Sequence, residues 1–138
     1  MGTDGAFATH IKMPAYLLHR IPDDVSFEDA AVIETADIVA HQVLERGRIE
    51  PGDFVVIFGA GTIGLLSAMI ARTAGASKVM IVGALVDEKI RFKVAMKINV
   101  DYIVNVQNED PVQKVMDITN GIGADLVVAA PGAEPAIN

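Results

Sequence analysis

The chain has no cysteine. Disulfides and thiolate metal ligands are therefore excluded within it. It has no basic block, and its formal net charge is -7. Nucleic acid is accordingly not expected as a partner, because phosphate binding needs clustered Lys and Arg. No apolar run reaches the roughly 18 residues that a membrane span requires. The opening MGTDGA is too polar for a signal peptide, and Ala6 stands where the myristoylation pattern wants Ser or Thr. A cytoplasmic protein without a membrane anchor is the expectation. What the chain does have is apolar substance. Its 138 residues are 51% hydrophobic and only 21% charged, the balance of one core-forming domain and not of a disordered segment.

Residues Ala6 to Met13 alternate, with Phe7, Thr9, Ile11 and Met13 on one side and Ala8, His10 and Lys12 on the other. This predicts a half-buried strand stopped by Pro14. Ala15 to Pro22 reads as a second short extended piece. Ser26 followed by Asp29 resembles a capping box, with Asp in place of the usual Glu or Gln, and opens a helical stretch through Ala30 and Ala31. A longer helix is expected from about Ala36 to Arg46. The pattern then becomes an alternation of strand and helix. Phe54 to Phe58 (FVVIF) is an unbroken apolar run, as in a parallel strand buried on both faces. A helix follows over Thr62 to Ala74, ended by Gly75. Val79 to Val82 is the second strand. A helix over Asp87 to Ile98 is expected to bury Ile90, Val94 and Ile98. Tyr102 to Val106 is the third strand. Asp110 caps a helix with Pro111 in its first turn, Gly121 at its end and Val112, Val115 and Met116 as its inner stripe. Ala124 to Ala130 is the fourth strand. The predicted fold class is α/β, a truncated Rossmann-type parallel sheet of about four strands with a small N-terminal β remnant.

Gly59-Ala60-Gly61-Thr62-Ile63-Gly64 fits G-x-G-x-x-G. The string alone is weak, but here it follows a buried strand and opens a helix, which is the context that gives it meaning. Gly59 permits the tight turn, Gly61 lets backbone approach a pyrophosphate, and Gly64 lets the helix sit close on the strand. The amides opening the helix, at Thr62 and Ile63, face the phosphates. A glycine-rich turn that binds nothing is the plain alternative. A methyltransferase would want an acid inside the first strand, and FVVIF has none.

A dinucleotide site usually places Asp or Glu at the end of the second strand to hold the ribose. Here that place reads Val82-Gly83-Ala84. Gly83 cannot hold a ribose hydroxyl, and Asp87, four residues on, has the simpler role of an N-cap. A missing acid removes repulsion against a 2′-phosphate, and Lys89 or Arg91 could supply charge, with solvated helix residues as the alternative reading of both. NAD and NADP both remain open at this point.

With these residues in hand, the chain resembles the medium-chain, zinc-type alcohol and polyol dehydrogenases of the sorbitol and threonine type. DGAFATHIKMPAYLLHRIPDD is similar to the last strands of that family's GroES-like catalytic domain. SFEDAAVIETADIVAHQVL is similar to the segment that follows it, and PGDFVVIFGAGTIGLLSAMIARTAGASKVMIV to its phosphate-binding unit. NGIGADLVVAAPG resembles its fourth Rossmann strand. The resemblance implies residues 1–25 as a remnant of the catalytic domain and 26–138 as a partial Rossmann domain with its leading helices. It implies a dinucleotide partner, NAD or NADP, and zinc in an intact parent only.

The resemblance also puts Glu34 where polyol-type members carry an acid near the catalytic zinc, although Thr35 stands where proline is usual. A helix-end carboxylate with no metal is the alternative. The other zinc ligands of the family, a Cys and a His-Glu pair, are expected before residue 1, and the fifth and sixth strands after the last. His41 resembles a position beside the cofactor, with local bonding on its own helix as the alternative. His10 and His19 form no ligand spacing. The expectation is a fragment holding the adenosine and pyrophosphate side of the site, inactive alone. A non-catalytic nucleotide-binding or interaction module is the alternative of a different class. The fourth strand, apolar after Asp125, is expected to act as an unprotected edge through which two copies associate.

Overall fold

The computed structural model describes residues 5–130. These fall into two compact units divided between Val32 and Ile33, seven residues beyond the boundary drawn from the sequence.

The first unit departs from expectation. Residues 5–13 contain no strand, and Phe7, Ile11 and Met13 are exposed. The second expected extended piece contains a single 3-10 turn, Ala15–Leu17. Alternation supplies a strand with two faces but not with a hydrogen-bonding partner, and no partner strand lies among the described residues of this unit. The Ser26 cap is present and opens a one-turn helix, α1 (Phe27–Ala30). Ser26 Oγ accepts the amide of Asp29 at 3.0 Å and donates to the Asp29 carboxylate at 2.7 Å. The acid thus bonds the capping hydroxyl and not the Ser26 amide, because Asp is one methylene shorter than the usual Glu.

The second unit is the α/β array. Its first helix, α2 (Ile33–Ala40), runs into a wider π-helical turn over His41–Arg46, and Val39 and Val43 are its buried side chains. There follow β1 (Phe54–Phe58), α3 (Thr62–Thr73), β2 (Lys78–Gly83), a 3-10 turn (Leu85–Asp87), α4 (Arg91–Lys97), β3 (Tyr102–Asn105), α5 (Pro111–Thr119) and β4 (Leu126–Ala129). The four strands form one all-parallel sheet in the order β3-β2-β1-β4. In register, Val55 lies beside Val79 and Leu126, and Met80 beside Tyr102.

At β1 and β2 both faces of the sheet are covered, which is why β1 needed to be apolar throughout. Val55, Ile57, Val79 and Ile81 pack with Ala68, Ala71, Phe92 and Ala95 on one face. Phe54, Val56, Met80, Val82 and Val104 pack with Val115 and Ile118 on the other. There Phe54 and Tyr102 meet edge to face, with ring centroids 6.2 Å apart.

Two helix faces differ from the expected ones. In α4 the buried residues are Phe92 and Ala95, while Ile90 is exposed and Val94 borders on exposure. The 3-10 turn delays the helix to Arg91, which rotates the stripe away from the pattern counted from Asp87. In α5 the inward residues are Val115 and Ile118, and Val112 and Met116 face outward. The α5 cap is as expected: Asp110 Oδ1 accepts the amides of Val112 (2.9 Å) and Gln113 (3.3 Å).

The far end of α3 is tied down by charge. Arg72 donates to the carbonyls of Asn99 (3.0 Å) and Ala76 (3.3 Å) and pairs with Asp101. Asp101 also accepts the amide of Val79 at 2.7 Å. Partial burial raises the Asp101 pKa, but the Arg72 and Val79 hydrogen bonds outweigh it and hold the carboxyl below its ordinary value. This clasp joins the C-terminus of α3 to the start of β2, and so helps set where the other end of α3 points.

Candidate functional site

The site is built where β1 hands over to α3. Gly59 takes φ +97°, open to glycine at little cost, and its amide still donates to Val82 at 2.7 Å. The chain thus leaves the sheet in one residue. Gly61 is the N-cap of α3, with φ -73° and no side chain to bond the first turn. The amides of Thr62, Ile63 and Gly64 have no partner inside the helix by helix geometry. The first bonded amide is that of Leu65, to Gly61 O at 2.9 Å. Free donors and the positive end of the helix dipole therefore meet at one point.

The glycines at 61 and 64 meet opposite constraints. A Cβ on Gly64 would sit 1.8 Å from the Gly59 carbonyl oxygen and 3.4 Å from Ile57. A Cβ on Gly61 would meet nothing within 4 Å. Gly64 is thus limited by the chain's own packing. Gly61 borders open space, a cleft of 390 Å³ lined by residues Gly59 to Gly64 together with Asp87, Arg91 and Ala130.

Gly83 is buried at the end of β2 and does not line that cleft. A Cβ there would lie 2.7 Å from the Phe92 ring and 2.8 Å from Asp87 Oδ2. Asp87 is not the N-cap of a helix, as the sequence implied. It closes the 3-10 turn, and its buried carboxylate reaches back to accept the Ala84 amide at 2.9 Å and Arg91 Nη1 at 2.7 Å. Lys89 is exposed and outside the cleft lining, whereas Arg91 is part of it. Asp87 and Arg91 thus form one unit. The signal for it in the sequence is their i, i+4 spacing, which puts acid and base on one helical face.

Glu34 is exposed in the first turn of α2, and the Thr35 hydroxyl donates to its carboxylate at 3.4 Å. His41 pairs with Glu45 at 2.8 Å on its own helix, the local alternative foreseen for it. His10 lies 3.2 Å from the Thr9 hydroxyl, and both His10 and His19 are exposed. Among the described residues no three His, Cys, Asp or Glu side chains are grouped to hold a metal. The chain's residues thus fit the phosphates of a dinucleotide, through the open face of Gly61 and the free amides. The described residues do not by themselves form a zinc set.

Residues 62–138, more than half of the chain, match the family of zinc-binding dehydrogenases. The chain belongs to that family. The matched part is the family's nucleotide-binding domain, and its members use NAD(P) and zinc. This zinc-binding dehydrogenase chain is 35% identical over 133 residues to the sorbitol dehydrogenase of Halalkalibacterium halodurans, an overlap of 96% of this chain and 38% of that one. It is 33% identical over 135 residues to the D-arabitol-phosphate dehydrogenase of Enterococcus avium, covering 98% of this chain and 38% of the relative. In three dimensions it is similar to the alcohol dehydrogenase of Thermus sp. ATN1, with a TM-score of 0.76 and 30% identity over 86% of this chain and 33% of that structure. The chain therefore spans well under half the length of these relatives, and the part it spans carries the Rossmann-type α/β sheet expected from the sequence.

Proposed function

We propose that this chain forms the adenosine and pyrophosphate half of the NAD(P) site of a zinc-type alcohol or polyol dehydrogenase, whose reaction moves a hydride between an alcohol and the nicotinamide ring. The observation that carries this reading is the open face of Gly61 over unpaired helix amides. When bound, the dinucleotide would supply the hydride acceptor or donor; a zinc ion, held only in a longer parent, would polarise the alcohol oxygen. The chain's own share is to hold the cofactor. Thr62, Ile63 and Gly64 offer amides to the phosphates, Gly61 leaves room for them, Gly59 turns the chain out of the sheet, and Gly83 leaves space for Phe92 and the Asp87 carboxylate.

Residues 1–25 are proposed as the tail of a GroES-like catalytic domain and 26–138 as part of the Rossmann domain. Glu34 is proposed to stand near zinc only with ligands from a longer parent. Saturation-transfer NMR on the chain with NAD(P) tests the half-site. Adenine protons are expected to receive more saturation than nicotinamide protons. The reverse order would overturn the assignment.

No helix among the described residues is long and apolar enough to cross a membrane. A cytoplasmic location is proposed on the cysteine-free composition. Self-association through β4 is proposed as well. It is supported by Val127, 55% exposed on a strand that pairs only with β1 among the described residues. The alternative, that residues 132–138 fold back over this edge, concerns residues outside those described. Light scattering is expected to show a concentration-dependent dimer, reduced by Val127→Lys. A monomer at high micromolar concentration, or an unaltered variant, sinks the idea.

A further inference from the structure

The end of β2 presents a cation where an acid is usually needed to hold a ribose. Gly83 cannot be given an acid without rearrangement, since its Cβ would press on Phe92 and on the Asp87 carboxylate. Asp87 does not fill the gap, because both of its oxygens are engaged within the chain, one by the Ala84 amide and the other by Arg91. Its side chain is 7% exposed, against 53% for that of Arg91. Both line the cleft that faces the glycine loop. The pair therefore shows its positive member to whatever enters.

We propose that the Asp87–Arg91 pair is a clamp for the 2′-phosphate of the cofactor, so that this chain prefers NADP(H) to NAD(H). The proposal rests on reading the cleft as a dinucleotide site. A ribose diol seeks an acceptor with lone pairs to spare, and the buried Asp87 carboxylate is already bonded on both sides. A 2′-phosphate brings acceptor oxygens and nearly two negative charges. A guanidinium matches that geometry with paired N–H donors. Arg91 uses one nitrogen on Asp87 and keeps further donors for the ligand. Asp87 also holds the guanidinium in place, so less freedom is lost when phosphate binds.

The neighbouring charges do not reverse this. Glu88 accepts from Asn105 at 2.6 Å, and Lys89 is exposed outside the cleft lining. The opposite signs of these two leave Arg91 as the group that decides.

Calorimetric titration of the full 138-residue chain with NADPH, NADH, adenosine 2′,5′-bisphosphate and inorganic phosphate tests the proposal. Arg91→Gln and Lys89→Gln are run beside the parent. NADPH is expected to bind at least about tenfold more tightly than NADH, the scale of one charge-assisted contact. The bisphosphate competes, and inorganic phosphate at the same concentration does not. Arg91→Gln brings the two dinucleotides close to equal by weakening NADPH alone, so unchanged NADH binding certifies its fold. Lys89→Gln leaves the ratio unaltered.

NADH binding as tightly as NADPH in the parent overturns the clamp and leaves the dinucleotide site standing. So does a ratio that survives Arg91→Gln, or one that is lost with Lys89→Gln instead. Competition by inorganic phosphate as strong as by the bisphosphate reduces Arg91 to an unspecific anion contact and overturns the clamp. Binding of neither dinucleotide brings down the site and the clamp together.

Discussion

Gly64→Ala is expected to remove about 3 kcal/mol or more of this chain's stability. The added methyl would sit 1.8 Å from the Gly59 carbonyl oxygen, with Ile57 3.4 Å away on the other side. That oxygen belongs to backbone held at φ +97° between β1 and the glycine loop. It cannot swing aside as the end of a flexible side chain could. Relief would require α3 to move off the sheet, away from Val55, Ile57 and Ile81, against which Ala68 and Ala71 pack. Overpacking usually costs roughly 1–3 kcal/mol and sometimes more, and a forced backbone shift belongs at the upper end, about 3 kcal/mol or above. Folded domains hold only about 5–15 kcal/mol in reserve. Urea denaturation followed by circular dichroism reads the loss as a lower midpoint with little change in slope. Gly61→Ala is the control, since its methyl meets nothing within 4 Å and its φ of -73° suits any residue. Equal midpoints for the two variants would show that α3 does not sit that close to the loop.

The order of strands and helices after Phe54 was legible in the sequence because the two central strands, β1 and β2, are buried on both faces and so carry unbroken apolar runs. The glycine loop was legible because its place between strand and helix constrains it more than its composition does. The stretch from Ala6 to Met13 misled for the converse reason. Alternation describes the faces of a strand but does not supply the neighbour whose backbone would bond it, and none is present among the described residues of that unit. The stripe in α4 was counted from Asp87, while the helix begins at Arg91. The 3-10 turn between them is made by backbone bonds from Asp87 N to Ala84 O and from Glu88 N to Leu85 O, and is fastened by the bond from Ala84 N to the Asp87 carboxylate. No periodicity encodes such a bond. The same bond hid part of the site, because it turns Asp87 inward and leaves Arg91 at the cleft.

Gly61→Val is expected to remove dinucleotide binding while leaving the fold in place. Two consequences of one position have to be separated. As N-cap, valine is a poorer residue than glycine, which costs about 1 kcal/mol of helix stability. The backbone at Gly61, φ -73° and ψ -174°, is extended and open to valine, and no chain atom lies within 4 Å of the new Cβ. The denaturation midpoint should therefore move little, in contrast to Gly64→Ala. The branched side chain instead projects into the cleft lined by Thr62, Ile63 and Gly64, where the free amides would meet phosphate. Hydrogen bonds to a charged group contribute roughly 1.5–3 kcal/mol each. Losing two of them corresponds to at least about a hundredfold weaker binding, at 1.4 kcal/mol per factor of ten. Titration of NADPH into parent and variant measures this, with circular dichroism on the same samples. The loss should apply to NADH and NADPH alike, because the pyrophosphate is common to both. Arg91→Gln, by contrast, should affect only the dinucleotide that carries the extra phosphate. A folded Gly61→Val variant that binds as well as the parent would mean that the phosphates do not lie over this helix end, and the dinucleotide assignment of the cleft would fail with it.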